Sequence, residues 1–150
     1  MRALTLLILS SVFVACSQSD WERQQMSSDS PVSYVAKNDD GEGFAVREGL
    51  FVASTDKLAS ILDSGTSYPF ELYLSGDGYV TIYKGKTPEW YNPHGILLIP
   101  DIETVFSGHP KLQDDFVTSE KIVVVIMNDI SGESVYKLEC ETKGAESVFK

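Results

Sequence analysis

The chain has 150 residues, 43% of them hydrophobic, with 12 Lys+Arg against 22 Asp+Glu and a net charge of −10 at pH 7. That length and composition suit one ordinary globular domain. The acidic balance excludes nucleic acid and anionic head groups as partners; it favours basic proteins or cations, and it also serves plain solubility.

The first element in chain order is Met1 to Cys16. Arg2 supplies a positive start, and Leu4 to Ala15 is an apolar run broken only by Thr5, Ser10 and Ser11. At 1.5 Å per residue that run reaches roughly 18 Å, too short for a ~30 Å hydrocarbon core, so it reads as a secretory signal rather than a membrane span. Its last residues, Phe13-Val14-Ala15-Cys16, resemble the lipobox of bacterial lipoproteins, with Phe13 where Leu is usual. The resemblance implies cleavage before Cys16 and acylation of that cysteine. Ser17, by the same resemblance, favours the outer membrane, since Asp there marks inner-membrane retention among enteric lipoproteins. Loss of Arg2 with the signal leaves 11 basic residues against 22 acids, a charge of −11.

Residues 16–31 read as the lipidated cysteine and a flexible tether. The run SQSDWERQQMSSDSP is polar and lacks apolar periodicity, and about fifteen such residues have a root-mean-square reach of roughly 20 Å. Trp21 either dips into the membrane interface or docks on the domain. Residues 32–150 then form a single β-rich domain. Val32 to Val35 is a short strand, Asn38 to Gly43 a turn, and Phe44–Val46 with Leu50–Ala53 a hairpin. Ser54 to Gly65 is the one expected helix, capped by Ser54 or Thr55, with Leu58, Ile61 and Leu62 on one face.

Pro69 opens the clearest hairpin. Phe70, Leu72 and Leu74 alternate with polar positions, Gly76-Asp77-Gly78 turns the chain, and Val80 and Ile82 are expected on the core face with Tyr79, Thr81 and Tyr83 on the wetter one. Lys84 to Gly95 is a long loop, Ile96 to Ile99 a central strand, and Ile102 to Phe106 an edge or a new strand. Ser107 to Asp115 reads as a second long loop. Lys121 to Met127 is the most hydrophobic strand of the mature chain, followed by a turn at 128–133 and a strand over Ser134 to Glu141. The tail from Thr142 is expected to fray. The fold class is therefore mainly β: an antiparallel β-sandwich or strongly curved sheet with one short helix, since these short connections forbid parallel pairing.

No catalytic apparatus is visible. His94 and His109 lie in loops beside prolines, outside any HExxH or paired metal spacing, and no GxSxG elbow, phosphate loop or zinc-type cysteine pair occurs. The acid-rich turn at 38–43 lacks the ligand pattern of a calcium loop. Neither a catalytic site, a metal nor a cofactor is assigned. Cys140, with no partner once Cys16 carries lipid, shares a strand face with Tyr136 and Leu138 and reads as a buried thiol.

The loops carry the candidate site. In a simple meander the turns at 76–78 and 129–133 share one end of the sheet, and the loops 85–94 and 107–115 share the other. That second end collects Trp90, Tyr91, His94, His109, Asp114 and Asp115, rigid aromatics ringed by acids, as at a protein-binding hot spot. Asp77, Asp129 and Glu133 form a secondary contact set at the opposite end. Alternatively Trp90 and Tyr91 fold inward as a lid over the core.

In size, lipoprotein signal, acidity and strand content the chain resembles the periplasmic immunity lipoproteins that neutralise muramidase toxins of the type VI secretion system. Ser75-Gly76-Asp77-Gly78 and Tyr83-Lys84-Gly85 are similar to the SGxG and KG elements of membrane-bound inhibitors of C-type lysozyme, set closer together here and without a disulfide partner for Cys140. Either resemblance implies a periplasmic, membrane-anchored inhibitor with no enzymatic activity, whose partner is a basic cell-wall hydrolase blocked by a loop entering its glycan groove. A structural or assembly lipoprotein of the outer membrane, and a small envelope hydrolase, are the alternatives.

Overall fold

The computed structural model describes residues 20–25, 27–47, 50–54, 57–63, 65–87, 96–99 and 110–148. The strands are β1 (Glu22–Gln24), β2 (Ser33–Lys37), β3 (Gly43–Arg47), β4 (Leu50–Ser54), β5 (Pro69–Gly76), β6 (Tyr79–Lys86), β7 (Ile96–Ile99), β8 (Lys121–Met127) and β9 (Ser134–Glu141). Helices α1 (Leu58–Ile61), α2 (Pro110–Thr118) and α3 (Ala145–Val148) join them. The described residues are mainly β. One sheet runs β1-β2-β3-β4-β7 and the other β6-β5-β8-β9, and every pairing is antiparallel. This is the sandwich-like arrangement expected for short strands with tight connections.

The core follows from period-two alternation. Phe70, Leu72 and Leu74 of β5, Ile122, Val124 and Ile126 of β8, and Tyr136, Leu138 and Cys140 of β9 are all buried. Phe44 and Ala36 meet them from the first sheet, which touches the second where β2 and β3 cross β9. Each large apolar side chain buried this way contributes roughly 1.5–3 kcal/mol. Strand β8 sits inside its sheet between β5 and β9, as its unbroken apolar run demands. Gly43 is required at the β2–β3 crossing, because a Cβ there would lie 2.2 Å from the Ala36 carbonyl oxygen.

Several expectations are corrected. The flexible stretch does not extend to residue 31. Trp21 is 5% exposed, its Nε1 donates to the Thr142 carbonyl at 3.1 Å, its ring lies 6.0 Å from that of Phe116, and β1 pairs with β2 directly after it. The tail does not fray at Thr142, which is fully buried, and α3 follows with Ala145 buried. The segment expected as a loop over 107–115 is helical from Pro110 onward. Proline suits the first turn of a helix, and Leu112 with Phe116, four residues apart, gives α2 its buried stripe. The single expected helix at 54–65 shortens to α1, because Ser54 pairs in β4 with Ile96 and no side chain caps the helix. Strand β7 closes one end of its sheet's order rather than occupying the centre. The segment Ile102–Phe106 lies outside the described residues.

Strand β6 presents the opposite face to the one expected. The two-residue turn Asp77–Gly78, with Gly78 at φ +77°, pairs Gly76 with Tyr79, so Leu74 faces Thr81 and Leu72 faces Tyr83. Turn length fixes the parity of the second strand, and a shift by one residue exchanges its faces. The inward row is therefore Tyr79, Thr81 and Tyr83, and Val80 and Ile82 stand outside at 64% and 50% exposure. The hydroxyls of Tyr79 and Thr81 are satisfied by α2. Tyr79 Oη lies 3.0 Å from the Asp115 carbonyl oxygen and 2.7 Å from Thr118 Oγ1, while the Tyr83 ring packs 6.1 Å from Phe70.

Candidate functional site

Trp90, Tyr91, His94 and His109, and the acylation candidate Cys16, lie outside the described residues. The remaining candidates are not gathered at one end. Because β8 is antiparallel to β5, Ser75 pairs with Lys121 and Phe70 with Ile126. The Asp77 turn therefore stands at the Lys121 end of the sheet, and the 128–133 turn stands at the Pro69 end. The expected sharing of one end by these two turns is overturned, because α2 returns the chain to the Asp77 end before β8 begins: the Glu120 amide donates to the Ser75 carbonyl at 2.8 Å.

Asp114 is exposed on α2, but Asp115 is a structural tie rather than a surface acid. It is 8% exposed and accepts hydrogen bonds from Lys111 Nζ at 2.6 Å and from Thr81 Oγ1. Burial alone raises its pKa, yet the bonds from Lys111 and Thr81 outweigh burial and hold the carboxyl below its ordinary value.

The Pro69 end is better defined. Asn128 Oδ1 accepts from the amides of Ile130 (2.9 Å) and Ser131 (3.0 Å), and the Gly132 amide donates to the Asn128 carbonyl at 2.9 Å. The Asn128 amide donates to the Glu133 carbonyl at 2.9 Å, closing the turn. This locally satisfied turn holds Ile130 out at 97% exposure, between exposed Asp129 and Glu133. Lys86, arriving on β6, ion-pairs with Asp129 at 3.0 Å and ties the turn to the sheet. Ile130, Val80, Ile82 and Lys86 were not candidates on sequence. An isoleucine inside the polar run Asn128 to Glu133 was the available signal for the first, and turn-length parity for the next two.

No family model, curated protein or solved structure matches the chain. The site is therefore read from its own chemistry. Among the described residues no group of three or more His, Cys, Asp or Glu is gathered as a metal site. Cys140 is 2% exposed, its thiol donates to the Glu42 carbonyl at 3.6 Å, and burial pushes its pKa up to about 12, so it stays protonated and unreactive.

Among the described residues, six lysines are ion-paired within the chain. Lys57 pairs with Glu42, Lys84 with Glu71, Lys86 with Asp129, Lys111 with Asp115, Lys121 with Glu139 and Glu141, and Lys137 with Glu139. Exposed acids outside these pairs include Glu22, Asp39, Asp63, Asp77, Asp114 and Glu133. The domain therefore projects a negative field from many points, while the outer face of the β6-β5-β8-β9 sheet is locally balanced.

The same pairs set the acid limit of stability. Hydrogen bonds from Lys121 and Lys137 lower the Glu139 pKa from 4.5 to about 2, and those from Lys84 and Tyr73 lower Glu71. Each folded-state value lies below the unfolded one, so the stabilisation is complete above pH 4.5 and is lost as pH falls towards about 2. Thermal melts followed by circular dichroism are expected to show Tm falling across that window. The Glu139→Gln variant should show a shallower fall, and an unchanged slope in that variant would contradict the assignment.

Proposed function

We propose that the chain is a periplasmic binding module, anchored through a lipid on Cys16, that docks on a basic peptidoglycan hydrolase of the muramidase or lysozyme type and blocks it. The single observation that supports this most is the disposition of charge. The basic side chains Lys57, Lys84, Lys86, Lys111, Lys121 and Lys137 are held in internal ion pairs, leaving exposed acids to dominate the field of the domain. Such a surface steers a positively charged partner onto the domain and discriminates against anionic ones.

An enzyme that cuts an anionic glycan polymer gains from being basic, which makes it the complementary partner for this surface. The test is titration of the purified domain into basic muramidases digesting peptidoglycan. Digestion is expected to be inhibited at low ionic strength and restored as salt shortens the screening length from ~10 Å at 0.1 M towards ~3 Å at 1 M. Undiminished digestion at low salt across such a panel, or glycan turnover by the domain itself, would overturn the proposal.

A further inference from the structure

Lipid attachment at Cys16 makes the distance to the docked body decisive, and Asp20, four residues on, is already docked. Its amide donates to the Lys143 carbonyl at 2.8 Å, and its Oδ2 accepts from the Lys143 amide at 2.9 Å. Trp21 then closes over Phe116 and β1 enters the sheet. The connection from Cys16 to the folded body is therefore at most four residues, not fifteen, and four residues span at most ~14 Å even when fully extended.

From this reach we infer that the domain stands with a fixed end towards the bilayer: the end carrying Asp20, Lys143, the Ser119–Glu120 corner and the Asp77 turn faces the lipid head groups, and the opposite end, with the 128–133 turn, faces the protein partner. The inference rests on the lipid-anchored reading above. Its geometry comes from the sheet. Glu141, the last residue of β9, pairs with Lys121, which pairs with Ser75 beside the Asp77 turn, so all of these share the end at which Asp20 docks.

The 128–133 turn lies at the far end of the same strands, and seven or eight residues at 3.4 Å place it ~25 Å further from the membrane. A folded hydrolase has no room beneath a body held within ~14 Å of the lipid surface. Acids at the near end, Asp77, Glu120, Glu141 and Glu146, keep that end from sinking into anionic head groups, so the body stands off at the length of its leash. Of the acids expected to touch the partner, Asp77 falls on the membrane side, and Asp129 and Glu133 fall on the partner side.

The test uses the full lipidated protein in phosphatidylcholine vesicles containing a lipid whose head group chelates Ni²⁺. Single Ser147→Cys and Ser134→Cys variants carry a nitroxide, one at each end. Cys140 is buried and remains unlabelled. The Ser147 label is expected to be relaxed by the nickel about threefold or more over the Ser134 label, given ~25 Å between the ends. Insertion of about twelve Gly/Ser residues after Ser19, which adds roughly 20 Å of reach, should erase that contrast while leaving the protein on the vesicles. Equal relaxation of the two labels in the uninserted protein, or a contrast that survives the insertion, overturns the inference. Failure of the underlying reading shows separately: a chain beginning at residue 16 with Cys16→Ser, free of the Leu4–Ala15 segment, that still floats with vesicles means that no lipid at Cys16 holds the protein, and the inference falls with it.

Discussion

Replacing Trp21 with alanine is expected to lower the unfolding free energy by about 3–5 kcal/mol, the range for removing a large buried aromatic side chain. Trp21 is 5% exposed and packs against Phe116, and its indole is the hydrogen-bond donor to the carbonyl of a fully buried residue, Thr142. The substitution leaves both a cavity and an under-satisfied carbonyl. Against a typical total stability of ~5–15 kcal/mol this is a large fraction, and it unlatches β1 and α3 together because both hang on the same contact. Trp21→Phe keeps most of the packing and loses the donor, so its cost is expected near 1 kcal/mol. Urea unfolding followed by circular dichroism checks both. A loss below ~1 kcal/mol for the alanine variant would mean that the packed unit begins after Trp21.

Charge reversal at Asp115 is expected to cost about 3–5 kcal/mol, the penalty for leaving a charge buried without its partner. Asp115→Lys removes the acceptor for Lys111 and Thr81 and sets a second ammonium where Lys111 Nζ lies 2.6 Å from the carboxylate. The tie between α2 and β6 is lost with it. Asp114→Lys, one residue away and exposed, is expected to stay within ~0.5 kcal/mol of the parent. The contrast has a practical consequence. Asp115→Lys disturbs the fold as well as the surface, and Asp114→Lys changes surface charge with the fold intact. Equal stability of the two would contradict the buried position of Asp115.

Where each sequence expectation held or failed has a local physical cause. Strands β5, β8 and β9 carry strict alternation or an unbroken apolar run, and tertiary packing enforced what the pattern stated. Strand β6 has the same alternation, but its face was set by the turn before it. Tyr79 and Thr81 could go inside because α2 supplied their hydrogen bonds, and nothing in the strand's own pattern reveals a helix packed against it.

Helix α2 was obscured by His109-Pro110 and by Asp114-Asp115, which look like loop composition. The signals for it were the four-residue spacings Leu112 to Phe116 and Lys111 to Asp115. Trp21 sits alone in a polar run, so periodicity could not place it; its partners, Phe116 and Thr142, are distant in sequence. The expected sharing of one end by Asp77 with Asp129 and Glu133 failed for the same kind of reason. Counting turns assigns loops to ends only when consecutive strands are neighbours, and here β7 joins the other sheet while α2 carries the chain back.

The most direct measurement is the association rate between the isolated domain and a basic hydrolase of the proposed partner class, followed by stopped flow across ionic strength. An acidic surface that steers a basic partner predicts a rate constant above the unsteered ~10⁵–10⁶ M⁻¹s⁻¹ at low salt, falling steeply as salt rises while the dissociation rate changes little. An association rate that is flat with salt would contradict the steering on which the proposed function stands.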